Sequence, residues 1–312
     1  MSITTEDGSA ALTGTGERRS PSRQSTSRRS ERRDFRTRPT VSTIIPTLNE
    51  AENLPHVLKQ LPHGVNELIV VDGHSTDATV AVAKQIRPDA RIVLQNRKGK
   101  GNALACGFAA ARGDIIVMID ADGSTDPTEI PTFIRPLIDG ADFVKGSRYM
   151  EGGGSADITF MRSAGNRVLG AGVNLMFNTR YTDLCYGYNA FWRRCLPQLH
   201  VTCDGFEVET VINVRAAKAG FKIVEIPSYE QSRIHGFSNL NAWRDGKRVL
   251  KTIMNERFSR LPEPSDAWKP DYNEMVQEVT ATAAPLRRHP AADHQHYDDL
   301  SMLVARAQVA TS

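Results

Sequence analysis

Cysteines are few in this sequence and long apolar runs are missing, and each absence excludes a class of protein. The four cysteines among 312 residues form no CxxC pair, which indicates free thiols rather than a disulfide scaffold. No run approaches the ~18 to 20 apolar residues of a membrane-spanning helix. The first residues also lack the basic start and apolar block of a secretion signal. With an ordinary apolar share of 40%, the sequence predicts a cytoplasmic globular protein of one or two domains.

Positive charge is concentrated at the N-terminus. The net charge is +3, but residues 1–40 hold nine Arg and no Lys against five acids, which leaves the rest of the chain close to neutral. A nucleic-acid-binding protein would usually show a clustered basic surface, so we do not expect nucleic acid as a partner. Residues 1–40 are rich in Ser, Thr and Gly and are predicted to be disordered. Their segment 18–38 is a candidate contact with an anionic membrane surface.

Apolar strand-like runs alternate with helix-like segments from residue 41 onward. The runs are 41–46, 67–72, 90–95, 114–120 and 142–148. The helix-like segments between them begin at Asn49 as an N-cap, at Ser75 or Thr76, at Gly101 and at Pro127. This alternation predicts an α/β domain over 41–260, with a mostly parallel, Rossmann-like central sheet flanked by helices. Residues 261–312 have weak periodicity and are predicted to be a mostly disordered tail.

The pattern loosens beyond Arg148 but still indicates further elements. A flexible loop is expected at 151–157, and the later elements are a helix at 158–177, a strand at 187–193, a helix at 205–219, a strand at 222–227 and a helix at 239–258. The 158–177 helix is a second candidate for membrane contact.

Asp120 and Asp122 follow a wholly apolar strand at the predicted carboxyl edge of the sheet, where ligands of open α/β sheets collect. Residues i and i+2 of an extended chain point the same way, so the two carboxylates should lie side by side. They would repel each other unless a cation sat between them, and hard oxygen ligands suit Mg²⁺ or Mn²⁺. The pair therefore predicts a divalent metal site that also binds a substrate phosphate.

Two other phosphate-binding folds are disfavoured. The only candidate glycine loop, from Gly99 to Leu104, follows the third strand and lacks the third glycine of a dinucleotide fold, and no GxxxxGK[ST] loop occurs. Lys100 nevertheless precedes a helix whose free N–H groups favour anions, so this segment could bind a diphosphate beside the metal.

Four segments carry a family resemblance: VSTIIPTLNE, IVVDGHSTDAT, NRKGKGNALACGFAAARGD and IIVMIDADGSTDP. Their order and spacing resemble inverting family 2 glycosyltransferases of the GT-A fold. The similarity is greatest to the branch of dolichyl- or polyprenyl-phosphate mannose and glucose synthases, and it covers about residues 41–240.

The resemblance implies roles for individual residues. The donor nucleotide would contact Pro46, Glu50, Asp72 and Lys100. Asp120 and Asp122 would hold the metal and the donor diphosphate, and Arg233 would fold over the phosphates. Arg148 would line the acceptor side.

Further site residues are expected from local chemistry. Arg162 and Asn166 on the 158–177 helix favour an acceptor phosphate, and His235 is a candidate third metal or phosphate contact. A hydroxyl acceptor would need a general base, for which Glu207 is the first choice and Asp204 the second. Both could equally be N-terminal helix charges that favour the helix dipole.

The expected activity is transfer of a hexose, with inversion, from a UDP- or GDP-sugar to polyprenyl phosphate or to a hydroxyl of a glycan or small molecule. Asp122 would be essential because the metal stabilises the leaving group. Two alternatives are a sugar-1-phosphate nucleotidyltransferase and a non-catalytic nucleotide-sugar binding protein. The first usually needs a glycine-rich basic loop after strand one, where this chain has TLNEAEN. The expected location is the cytoplasm, with peripheral contact at the inner face of the membrane.

Overall fold

A computed structural model describes residues 39–236 and 242–261, together with the backbone of 277–278. The candidate membrane segment 18–38 and most of the predicted C-terminal tail lie outside the described residues. Thr40, the last residue of the predicted N-terminal tail, donates from its backbone N–H to Asp114 Oδ2 at 3.0 Å. The folded domain therefore includes at least one residue before the predicted boundary at 41.

The described residues contain ten strands, which we number in chain order: β1 Val41–Thr47, β2 Glu67–Asp72, β3 Arg91–Leu94, β4 Ile115–Met118, β5 Phe143–Ser147, β6 Gly154–Ser155, β7 Asn189–Trp192, β8 Ile223–Pro227, β9 Tyr229–Glu230 and β10 Gln277–Glu278. Eight of them form one sheet in the order β10-β3-β2-β1-β4-β7-β5-β8, and β6 pairs with β9. All pairings in the large sheet are parallel except those of β7 and β10. The prediction of a mostly parallel sheet is confirmed.

Helices cover both faces of this sheet. They are α1 Leu54–Gln60, α2 Thr79–Ile86, α3 Lys100–Ala110, α4 Ile130–Ile138, α5 Phe160–Phe177, α6 Leu196–Leu199, α7 Val208–Lys218 and α8 Ala242–Phe258. Because both faces are covered, β2 and β4 are almost wholly apolar and buried, as strands of doubly covered sheets are. Among the described residues, no helix combines the length and the apolar character that a membrane crossing requires.

The first helix begins later than expected. Asn49 was predicted to cap it, but α1 starts at Leu54, with a proline in its first turn. Asn49 instead adopts a left-handed backbone (φ 56°) and accepts a hydrogen bond from the Thr76 N–H at 2.8 Å. The side chain thus ties the loop after β1 to the loop after β2, which a local helix-capping rule does not foresee.

Other elements also differ from the sequence prediction, among them β9, α6 and α2, which begins at Thr79 rather than at Ser75 or Thr76. The loop expected at 151–157 contains the short strand β6, and the tail expected from 261 contributes β10 beside β3. The helix expected to begin at Pro127 starts as a 3₁₀ turn, Pro127–Glu129, capped by the Asp126 side chain, before α4 follows. The short pairings need partners distant in sequence, so no local pattern identifies them.

A second apolar cluster joins α5, α7 and α8 at one end of the sheet. Its core includes Val173 of α5, Val214 of α7 and Ile253 of α8, all buried. This packing positions α5 and α8 beside the carboxyl ends of the parallel strands. The four cysteines are free, as predicted.

Candidate active site

A cavity of about 880 Å³ opens at the carboxyl ends of the central strands. Its walls come from the ends of β1 and β4, the starts of α3 and α7, and the helices α5 and α8. Most of the predicted site residues line it: Pro46, Glu50, Lys100, Asp120, Asp122, Arg148, Arg162, Asn166 and Arg233. The structure therefore brings together side chains that are almost 190 positions apart in the sequence.

Asp120, just beyond β4, is paired with a cation. The Lys100 ammonium lies 2.6 Å from Asp120 Oδ1 and 2.8 Å from Glu209 Oε1. Burial would lower the pKa of Lys100, but the charges of Asp120 and Glu209 raise it well above its usual value. Burial raises the pKa of Glu209, and the charge of Lys100 opposes that rise. The two carboxylates therefore favour the charged form of Lys100 on the cavity wall.

Asp122 is tied to its own loop and to a segment far along the chain. Its Oδ1 accepts hydrogen bonds from the Ser124 N–H and hydroxyl at 3.0 and 2.6 Å. Its Oδ2 lies 3.3 Å from Arg233 Nη1, and Arg233 Nη2 lies 2.6 Å from Glu50 Oε1. Arg233 thus bridges the loops that follow β1 and β4.

Asp72 lies outside the cavity wall, although its neighbour Gly73 forms part of it. The side chain is buried, and its Oδ2 accepts from the Ser75 N–H at 3.0 Å. Its Oδ1 is buried without a hydrogen-bond partner in the part of the chain that the structure describes. A buried carboxylate oxygen with no partner is costly. The contact predicted between Asp72 and the nucleoside stays a prediction.

Asp120 and Asp122 fit a divalent ion that also binds phosphate oxygens. Both offer hard carboxylate oxygens at one edge of the cavity, and Mg²⁺ commonly takes only one or two carboxylates together with substrate phosphates. Within the described ranges, no group of three His, Cys, Asp or Glu side chains is arranged to hold a metal. His235 lines a separate, smaller cavity with Asn53 and Asp77, so the structure does not bring its ring to the two aspartates.

Two predicted acceptor residues belong to a buried network. Arg148 donates from Nε and Nη2 to the two carboxylate oxygens of Asp183 at 2.7 and 3.0 Å, and from Nη1 to Glu230 at 3.0 Å. Asn166 donates to Asp183 at 2.9 Å. Burial would raise the pKa of Asp183, but the hydrogen bonds and charge of Arg148 lower it. Both predicted acceptor residues reach the cavity wall, but their polar groups are bound to Asp183.

Arg162 is the predicted acceptor residue with the most freedom. It lies in the first turn of α5, lines the cavity and makes one ion pair, 3.2 Å from Asp157 Oδ2. Both partners are partly exposed, and exposed pairs contribute little to stability. The guanidinium can therefore exchange Asp157 for a ligand anion at low cost.

The two predicted bases do not line the cavity. Asp204 is exposed and lies 2.8 Å from Arg97 Nη2. Glu207, directly before α7, accepts from the Gly205 N–H at 3.2 Å, and its Oε2 lies 3.7 Å from Arg248 Nε. Neither side chain lines the cavity, whereas Glu209, two residues later, does. Glu209 and Asp183 were missed because both act through partners that only the fold brings near.

Comparisons with known proteins agree with this architecture. The glycosyl transferase family 2 profile matches residues 42–198. Glycosyltransferase AglJ of Haloferax volcanii is 32% identical over 71% of this chain and 73% of that protein. Polyprenol monophosphomannose synthase of Mycolicibacterium smegmatis is 31% identical over 65% of this chain and 83% of that protein.

A solved structure extends the likeness to three dimensions. Glucosyl-3-phosphoglycerate synthase from Mycobacterium tuberculosis, crystallised with Mn²⁺, UDP and glucosyl-3-phosphoglycerate, superposes with a TM-score of 0.56 at 26% identity. The match covers 70% of this chain and 80% of that one. The predicted GT-A fold is confirmed, and the nucleotidyltransferase and non-catalytic alternatives are set aside. The chain belongs to glycosyltransferase family 2.

Proposed function

We propose that this glycosyltransferase transfers a hexose from a UDP- or GDP-sugar to a polyprenyl phosphate, with inversion and with Mg²⁺ or Mn²⁺. The observation that carries the proposal is the placement of Asp120 and Asp122 at the end of β4, where Arg233 reaches Asp122 across the cavity. This is a cation site and a phosphate-binding arginine on one sheet edge.

The donor side is supported by the relatives as well as by geometry. The similar synthase from M. tuberculosis was crystallised with UDP and Mn²⁺. Here Glu50 and Pro46 lie on the cavity wall, as does Gly73, the neighbour of Asp72. Asp120 and Asp122 would hold the ion, which when bound stabilises negative charge on the leaving diphosphate.

The chemical step is a single displacement. An acceptor oxygen attacks the anomeric carbon, the bond to the diphosphate oxygen breaks, and the nucleoside diphosphate leaves with that electron pair. Arg233 is placed to stabilise the charge that develops on the leaving group. A phosphate acceptor is already anionic, so the position of Glu207 and Asp204 outside the cavity wall is no obstacle.

An apolar wall favours a lipid-linked acceptor. Met161 and Val168 of α5 face the cavity together with Trp243 and Leu250 of α8, and all four are also exposed. The cavity wall therefore continues into an apolar surface, along which an isoprenoid chain could lie while its phosphate meets Arg162. The similar protein named polyprenol monophosphomannose synthase supports the same acceptor class.

The same two helices are proposed as a peripheral membrane contact. Phe160 and Leu175 of α5 and Phe258 of α8 are more than three-quarters exposed. The binding of an apolar helix face to a membrane grows with the apolar area that it buries, and nearby basic residues add attraction to anionic lipid. We propose a cytoplasmic enzyme on the inner membrane face, and contact through residues 18–38 remains a prediction.

A donor screen tests the proposal. UDP- and GDP-hexoses are incubated with the protein and Mn²⁺ or Mg²⁺, with and without a polyprenyl phosphate, and sugar transfer to lipid is measured. We expect transfer that needs one donor, the ion and the lipid phosphate. The variant Asp122→Ala should lose at least a hundredfold in rate. Asp126→Asn, a change in the same loop that keeps an N-cap acceptor, should stay near wild type. Wild-type turnover by Asp122→Ala would refute the proposed site.

A further inference from the structure

Lys100 lies between two carboxylates at nearly equal distances, 2.6 Å from Asp120 and 2.8 Å from Glu209. The Glu209 side chain is 5% exposed and belongs to the first turn of α7. The sequence gives Glu209 no role, and the mechanism above does not use it. A carboxylate buried this deeply stays charged only where a cation or hydrogen bonds stabilise it.

The surrounding backbone fixes these three groups. A Cβ at Gly187 would lie 3.0 Å from Lys100 Nζ and 3.3 Å from Glu209 Oε1, so the ion pair packs closely against this glycine. The Gly101 N–H donates to the Asp204 carbonyl at 3.0 Å, which joins the start of α3 to the segment before α7. Lys100 and Glu209 are therefore brought together by two elements whose starts are bonded to each other.

The charges have a simple consequence for cation binding. One ammonium shared by two carboxylates leaves the group at −1, whereas Lys100 paired with Asp120 alone would leave it neutral. A divalent ion at Asp120 is attracted by the first arrangement and meets no net charge in the second. A metal-free diphosphate is repelled by the first arrangement and meets no net charge in the second.

We propose that Glu209 is a positioning residue that shares Lys100 with Asp120 and so keeps the Asp120 carboxylate available to a divalent cation. This inference rests on the proposed function, because it assumes that the ion binds at Asp120 and Asp122. Glu209 touches neither the donor nor the ion. It acts through Lys100.

Titration calorimetry on the full chain tests this role with two ligands of opposite charge. We expect Glu209→Gln to weaken the binding of Mn²⁺ alone by about tenfold. We expect the same variant to strengthen the binding of metal-free UDP or GDP, whichever the wild type binds, by about threefold. Glu209→Asp keeps the charge and should hold the Mn²⁺ affinity within about threefold of wild type.

The matched control is Glu256→Gln, since Glu256 is also a buried carboxylate shared by two cations, Arg215 and Lys218, but lies off the cavity. It should change neither affinity. If Glu209→Gln does not fold, Lys100→Gln is the variant that tests the inference. It should strengthen Mn²⁺ binding and weaken diphosphate binding.

Several results would overturn the inference. They are a Glu209→Gln variant that binds both ligands as wild type does, one that binds both more weakly, and a Lys100→Gln variant that binds Mn²⁺ more weakly. A wild-type protein that binds neither Mn²⁺ nor a nucleoside diphosphate would overturn the proposed function as well. The two failures are therefore distinguishable.

Discussion

Three cations of the cavity wall, Lys100, Arg148 and Arg233, are each shared between two carboxylates. Their partners are Asp120 and Glu209, Asp183 and Glu230, and Glu50 and Asp122. Each trio carries a net negative charge, so the wall suits a metal ion better than an unaccompanied phosphate. Positive charge for an acceptor phosphate must then come from the other cations of the wall, which are Arg162 of α5 and the exposed Arg244, Lys247 and Arg248 of α8.

Arg148 shows that a site residue could be predicted from the sequence while its buried partner could not. The resemblance predicted the residue as part of the site, and it does line the cavity. Its partner Asp183 lies 35 positions away, in a segment with no regular structure, so no spacing rule pairs the two. The donor carboxylates were easier to predict, because they follow directly from an apolar strand.

The Arg148→Met variant separates a structural role from an acceptor role. Removing one partner of a buried ion pair leaves the other charge unpaired, which typically costs about 3–5 kcal/mol. We expect a loss of that size in the free energy of unfolding measured with denaturant. The double variant Arg148→Met with Asp183→Leu should regain much of it. Unchanged stability together with a raised KM for the acceptor would contradict this account.

The loops at the strand ends determine the site at the scale of elements. The alternating apolar pattern predicted the order of strands and helices in the parallel part of the sheet. The buried strands there are mostly apolar runs, which are visible in the sequence without knowledge of their neighbours. It did not predict that β7 inserts antiparallel between β4 and β5, since strand order depends on contacts between distant segments. It also placed the start of α1 too early, because Asn49 bonds to a neighbouring loop.

Alanine substitutions at two helical glycines test how closely α3 packs against the segment before α7. A Cβ at Gly101, in the first turn of α3, would overlap the Cys203 carbonyl oxygen, which is backbone and cannot yield easily. We expect Gly101→Ala to displace Lys100 and to weaken nucleoside diphosphate binding by tenfold or more. Gly172→Ala in α5 meets only the end of Met176 at 3.7 Å. It should leave binding unchanged and raise stability by roughly 0.5–1 kcal/mol, measured by denaturant unfolding. Equal binding by the two variants would contradict the close packing.

Charge is unevenly placed in the whole molecule. The net charge of +3 arises from residues 1–40, which carry +4, whereas the rest of the chain carries −1. The apolar faces of α5 and α8 appear only in the fold, because the sequence alone does not show which of their apolar residues stay exposed. The proposed membrane contact therefore depends on the assembled domain.

The free energy of unfolding should decrease in acid, because buried carboxylates that are paired with arginines become protonated there. Burial would raise the pKa values of Asp183 and Glu256, but their arginine partners lower both. A carboxylate with a lowered pKa in the folded state contributes stability above its unfolded pKa, near 4, and loses it as pH falls through the folded pKa. We expect the free energy of unfolding to fall below about pH 4, and to fall less steeply in Asp183→Asn. An identical pH dependence in that variant would contradict the assignment.

The central claim is metal-dependent inverting transfer at Asp120 and Asp122, and NMR of the product tests it most directly. The protein is mixed with an α-linked UDP- or GDP-hexose, Mn²⁺ and a polyprenyl phosphate, and the anomeric signal of the lipid product is recorded. We expect a β-linked lipid-phosphate hexose that forms with Mn²⁺ and does not form when EDTA is present. An α-linked product, or undiminished transfer in EDTA, would contradict the claim.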